Sequence, residues 1–166
     1  MKLWGIISVI FADVMYIFYL KSKRNTELSN TRDLIMFIQY LNVNVLERKM
    51  TLFNSVINIK GKISPYIDEF IKKFRDTSDI MSVRKSLIDA VESYFYNCDE
   101  KIRVNIKDYL FILGNTDKKT STDCYRLTYN ECEKIFINKK EEIHKSIRII
   151  SVLTYGLSSM AILVLI

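Results

Sequence analysis

Proline occurs once in the 166 residues, at Pro65, and glycine only four times. A β-sandwich or barrel needs a turn about every 8–12 residues, so the chain is short of turn formers for either and must use long elements. Histidine is as scarce, with His144 alone, and the three cysteines, Cys98, Cys124 and Cys132, form no C-x-x-C pair. A zinc site takes about four ligands, which would require every thiol plus the one imidazole at spacings that fit no finger. An odd cysteine count also argues against a disulfide framework, leaving reduced thiols as the expectation. Phosphate-binding glycine loops and the H-E-x-x-H pattern are missing as well. Gly156-Leu157-Ser158-Ser159-Met160 departs from a nucleophile elbow at its last position. Ser82-Val83-Arg84-Lys85 matches S-x-x-K without its companion motifs. The expectation is a protein that is not an enzyme, with no cofactor, no metal and no small-molecule substrate.

What is abundant is charge of both signs and apolar side chains. The 25 basic residues are scattered among 19 acidic ones, for a net charge of +6. The tight basic clusters, such as Lys21-Ser22-Lys23-Arg24 and Lys139-Lys140, lack the length and the interleaved aromatics of a nucleic-acid groove, so no nucleic-acid partner is expected. An anionic membrane surface suits the same balance. Isoleucine, lysine and asparagine are over-used, a bias expected of an AT-rich genome.

Two apolar runs flank a polar middle. Leu3 to Leu20 is broken only by Asp13, and Ile149 to Ile166 carries no charge. Each lies near the lower length limit for crossing a hydrocarbon core of about 30 Å. The second run is expected to insert as a C-terminal transmembrane tail anchor. In the first, Asp13 costs roughly 2.5–3.5 kcal/mol near a helix centre, which leaves insertion close to balance. It is either an anchor with Asp13 turned toward a partner helix or an apolar helix packed in the bundle. Lys21, Lys23 and Arg24 follow the first run, and Lys139, Lys140, Lys145 and Arg148 precede the second. Basic flanks on both sides of the middle segment place that segment in the cytosol.

The middle reads as a helical bundle. Thr31 is a candidate cap for a helix with Leu34, Ile35, Ile38 and Leu41 inward, and Asn42-Val43-Asn44-Val45 marks a bend. Ser64-Pro65 is a helix start, and Ile67, Phe70, Ile71 and Phe74 then line one face. Val83, Leu87, Val91, Tyr94 and Phe95 form the next stripe. Asp99-Glu100 opens another helix, with Ile102, Ile106, Tyr109, Leu110 and Leu113 inward and Gly114 at its end. A polar loop over 115–123 precedes a last helix from about Cys124. The expected fold class is therefore all-α, a small helical bundle. Its organisation is 1–24 as an apolar N-terminal helix, 25–146 as a cytosolic bundle and 147–166 as the tail.

The segment Phe70-Ile71-Lys72-Lys73-Phe74-Arg75-Asp76, followed by a turn and Val83-Arg84-Lys85-Ser86-Leu87, resembles the first homology region of the Bcl-2 superfamily. The AT-rich composition points to its poxvirus branch. The resemblance implies a Bcl-2-like bundle in a viral protein that inhibits apoptosis by sequestering pro-apoptotic amphipathic helices. The groove would be lined by Phe70, Phe74, Val83, Leu87 and Val91, with Arg84 set against the ligand's aspartate. It further implies a tail held in a mitochondrial or endoplasmic reticulum membrane of a host cell. The competing class is a structural membrane protein whose bundle scaffolds a partner. An open groove beside Val83 to Phe95 would mark the receptor, and a closed bundle the scaffold.

Overall fold

The computed structural model describes residues 2–78, 82–114 and 117–165, without the side chains of 2–4, 6, 161, 164 and 165. Six α-helices follow in order: α1 Lys2–Asn42, α2 Leu52–Ile57, α3 Pro65–Ser78, α4 Val83–Tyr94, α5 Glu100–Ile112 and α6 Lys118–Leu165. A π-helical turn, Val43–Glu47, continues α1 where a bend is expected. Among the described residues there is no strand, and the chain is an all-helical bundle. It divides into two compact units, one of residues 1–26 with 138–166 and one of residues 27–137.

The larger unit is built on short capped helices. At the start of α3 the Ser64 hydroxyl accepts from the Ile67 amide, and Pro65 takes the first helical position, where no amide hydrogen is needed. Ile67, Phe70, Ile71 and Phe74 repeat at three- and four-residue steps, so all four fall on one face and all are buried. Asp99 caps α5 by accepting from the Lys101 amide. Gly114 ends that helix with φ of +78°, a left-handed conformation that a side chain would strain.

Phe70 is the hub of the core. Its ring meets Phe37 of α1 edge-on at 5.2 Å and packs against Phe95 at 5.1 Å and Tyr94 at 5.8 Å. Tyr109 is the second fixed point, buried on α5 with its hydroxyl donating to Asn42 Oδ1 at 2.8 Å and its ring against Tyr125 of α6. Leu34, Ile38, Leu41, Leu87, Val91, Ile106 and Cys132 close the core around these two rings.

Three expectations need correcting. Thr31 does not begin a helix, because α1 runs through it and its hydroxyl donates back to the Glu27 carbonyl at 2.8 Å. The last helix starts six residues earlier than Cys124, at Lys118, where the Asp117 carboxylate accepts from the Thr120 amide. The spanning tail over 149–166 is also corrected: among the described residues no helix is long and apolar enough to cross a membrane. From Ile149 to Leu163 there is about 22 Å of helix, against a hydrocarbon core of about 30 Å. That stretch is diluted by Ser151, Thr154, Tyr155, Ser158 and Ser159, while residue 166 lies outside the described residues.

Replacing Phe70 by alanine removes a fully buried ring from three aromatic contacts, and the expected cost is about 3–5 kcal/mol in chemical denaturation. Tyr96, on the surface of the same unit, serves as the control. Tyr96→Ser should stay within about 0.5 kcal/mol of the parent. Equal losses at the two sites would contradict a core centred on Phe70.

Candidate functional site

The smaller unit exposes many large apolar side chains and admits polar ones to its seam. Along α1 its half-buried positions are Val9, Asp13, Ile17 and Leu20, and along α6 they are Lys139, Ile147, Ile150, Ser151, Thr154, Ser158 and Ile162, with Ile143 buried. Each set repeats at three- or four-residue steps and so forms one stripe. The two stripes meet in an antiparallel hairpin: Ser158 donates to the Asp13 carboxylate, while Leu20 and Arg24 lie beside Ile143, Ser146 and Ile147. The seam is thus partly polar. Ser151 and Thr154 turn their hydroxyls back to the carbonyls of Ile147 and Ile150, both at 2.8 Å, which lets them sit there without an outside partner.

The large apolar side chains point outward instead. Phe11, Phe18, Leu157 and Leu163 are 66%, 68%, 69% and 74% exposed, and Ile10, Val14, Met15, Val152 and Leu153 join them. A globular unit would place these inside and the serines outside. Small and hydroxylated residues between helices, with bulky residues facing away, are what helices surrounded by lipid tails use. At the end of this sleeve stand Lys21, Lys23, Arg24, Lys139, Lys140, Lys145 and Arg148, with Glu141 and Glu142 the only acids among them.

The residues assigned to a helix-binding groove lie elsewhere. Phe70, Phe74, Leu87 and Val91 are fully buried against one another and the rest of the core, and Val83 is half-buried at its edge. Arg84 does not face an open surface: its Nη2 donates to the Leu113 carbonyl at 2.9 Å, holding the end of α5. Among the described residues, the apolar side chains from Val83 to Phe95 are buried or half-buried against the core. The stripe of apolar residues on α3 and α4 is real, but its partner is the chain itself.

Sequence reasoning missed the pairing of Asp13 with Ser158, although the hydroxyls at 151, 154 and 158 already fall at helical spacing in the apolar run. Among the described residues no three His, Cys, Asp or Glu side chains gather into a metal site. The thiols are held quiet. Burial pushes Cys98 up and takes Cys132 to about 12, with Glu131 adding to the effect, while Cys124 is half-buried. Burial likewise raises Tyr66 and Tyr125 to about 12.

These groups keep their protons in the folded chain at pH values where the unfolded chain releases them. Their contribution to stability is therefore intact below about pH 8.5, the free thiol value, and is lost progressively as pH rises toward about 12. The urea midpoint should fall between about pH 8 and pH 11, and a constant midpoint would contradict the assignment. At about pH 8 iodoacetamide should alkylate Cys124 first, with Cys98 and Cys132 reacting only after unfolding.

The comparison with known proteins bears on identity. The family model described as stage III sporulation protein AB matches residues 2–166, and no curated protein and no solved structure matches the chain. A sporulation protein is bacterial, which overturns the resemblance to the poxvirus Bcl-2 proteins. With it go the viral inhibition of apoptosis, the pro-apoptotic helices as partners and the location in a host mitochondrion or endoplasmic reticulum. The seven-residue match at Phe70 to Asp76 is what any amphipathic helix ending in a charged turn produces. A match over residues 2–166 spans both compact units, and the chain belongs to the stage III sporulation protein AB family.

Proposed function

We propose that this chain is a non-catalytic structural component of a membrane-associated sporulation assembly. Its smaller unit sits among lipid tails, and its larger unit is a helical body that scaffolds a protein partner. One observation carries the reading: in residues 5–26 and 138–163 a row of bulky apolar side chains faces out, while Asp13 and the hydroxyls of Ser151, Thr154 and Ser158 share the inward seam with isoleucine, valine and leucine. In water that arrangement exposes apolar surface far beyond the scattered side chains normal on a soluble body. In lipid the outward side chains meet an apolar medium, and the inward carboxylate, costly there, keeps its hydrogen bond. The family supports a role in sporulation, and the closed body supports the scaffold over a receptor for helices.

The test is partition of the full chain. Phe11→Lys and Leu157→Lys each place a charge on the outward face, at about 3 kcal/mol apiece on the insertion scale. The double variant should move from the carbonate-washed membrane pellet to the soluble fraction, with its helical circular dichroism retained. Val104→Lys, an exposed apolar position on the body, should leave the partition unchanged. A double variant that remains in the washed pellet would overturn the proposal.

A further inference from the structure

The net charge of the chain is almost wholly local. Residues 21–24 and 139–148 carry seven basic and two acidic side chains, while the remaining residues carry 18 basic and 17 acidic. The collar of the hairpin therefore accounts for +5 of the +6, and the rest of the molecule is close to neutral. A collar of this sign at the rim of an apolar sleeve lies where phosphate headgroups would meet it.

The collar also contains a cleft, of about 110 Å³, between α1 and α6. The space is large enough for several waters and so admits a group the size of a phosphate. Leu20 and Ile147 line its apolar side, and Arg24, Lys139, Glu142 and Ser146 its polar side. Two cations, one carboxylate and one hydroxyl leave a net positive site. The Lys139 Nζ pairs with Glu142 Oε2 at 3.8 Å, an ion pair too long for a hydrogen bond and one that a phosphate oxygen at closer range would outcompete. An arginine beside it adds the planar fork suited to phosphate oxygens.

We infer that this cleft seats the phosphate of an anionic glycerophospholipid, bound by Arg24 and Lys139 with Ser146 as a further donor. The acyl chains follow the outward apolar side chains of the hairpin. The inference rests on the lipid-embedded reading of the hairpin and adds to it a headgroup preference and the residues that confer it. A diffuse attraction of seven cations to a charged surface would favour anionic lipid too, but it would depend equally on all of them. The cleft makes two of the seven different.

The full chain, diluted from detergent, is floated with vesicles of phosphatidylcholine alone or of phosphatidylcholine with phosphatidylglycerol. The expected result is tighter binding to the phosphatidylglycerol vesicles. Arg24→Gln with Lys139→Gln should lower that binding by well over the about 30-fold that losing any two cations near a membrane surface costs through diffuse attraction, and leave binding to the neutral vesicles unchanged. Lys140→Gln with Lys145→Gln, two exposed positions of the same collar outside the cleft, should have a clearly smaller effect. Equal losses in the two double variants would overturn the cleft in favour of a diffuse collar. Equal binding of the parent to both vesicles would overturn the headgroup preference and leave the lipid-embedded hairpin standing. Absence of binding to either would overturn both. Inorganic phosphate that raises the thermal midpoint of the lipid-free chain, with the same dependence on Arg24 and Lys139, would assign the cleft to free phosphate and overturn the lipid.

Discussion

A carboxylate in the middle of an apolar helix has to find a donor, and for Asp13 that donor is the Ser158 hydroxyl. The two residues stand 145 positions apart in sequence. Their hydrogen bond ties the first apolar run to the second and sets the register of the pair. Once Asp13 faces Ser158, helical periodicity turns Val9 and Ile17 into the seam on one side, and Ser151 and Thr154 on the other. It also turns Phe11, Phe18, Val152 and Leu157 away. The register that satisfies this one acid also places Ser151 and Thr154 in a seam otherwise made of valine, isoleucine and leucine, and leaves other large apolar side chains outside.

The larger unit follows the opposite rule with the same kind of element. In α1 the residues Leu34, Ile35, Phe37, Ile38 and Leu41 are buried, whereas in the first half of the same helix the bulky residues are exposed. Nothing in the backbone changes between these halves. What changes is the supply of apolar partners: Phe70, Phe95, Leu87 and Ile106 surround the second half, and only one other helix accompanies the first. Two helices alone cannot enclose bulky side chains on every face, so a two-helix unit of this composition leaves them to be covered by something outside the unit.

The sequence was most legible where local chemistry decides structure. Ser64-Pro65, Asp99 and Gly114 mark helix ends because capping and left-handed turns depend on a few adjacent atoms. Thr31 shows the limit of that logic. The same hydroxyl that can cap a helix can donate to the carbonyl four residues back, and the tertiary contacts of α1 select the second. The groove assigned to Phe70, Phe74, Leu87 and Val91 meets a related limit, since all four side chains are buried in the core. Periodicity reports which face of a helix is apolar and is silent on whether its partner is another part of the chain or another molecule. The contact between Asp13 and Ser158 was beyond local reading, since pairing across most of the chain leaves no local pattern.

Charge and apolar surface then divide the molecule along the same line. The body combines a closed core with a surface of nearly balanced charge, which gives it little long-range attraction for a polyanion. The hairpin combines an open apolar sleeve with a collar of excess positive charge, and each of these strengthens the other at a lipid surface. Burial of Phe11 or Leu157 brings the collar to headgroup depth, and attraction at the collar holds the sleeve in place. Neither needs a catalytic group, a metal or a bound cofactor to act. On the proposed reading, the chain works by position: a lipid-facing hairpin fixed by one half-buried, inward acid, and a helical body that offers its surface to other proteins.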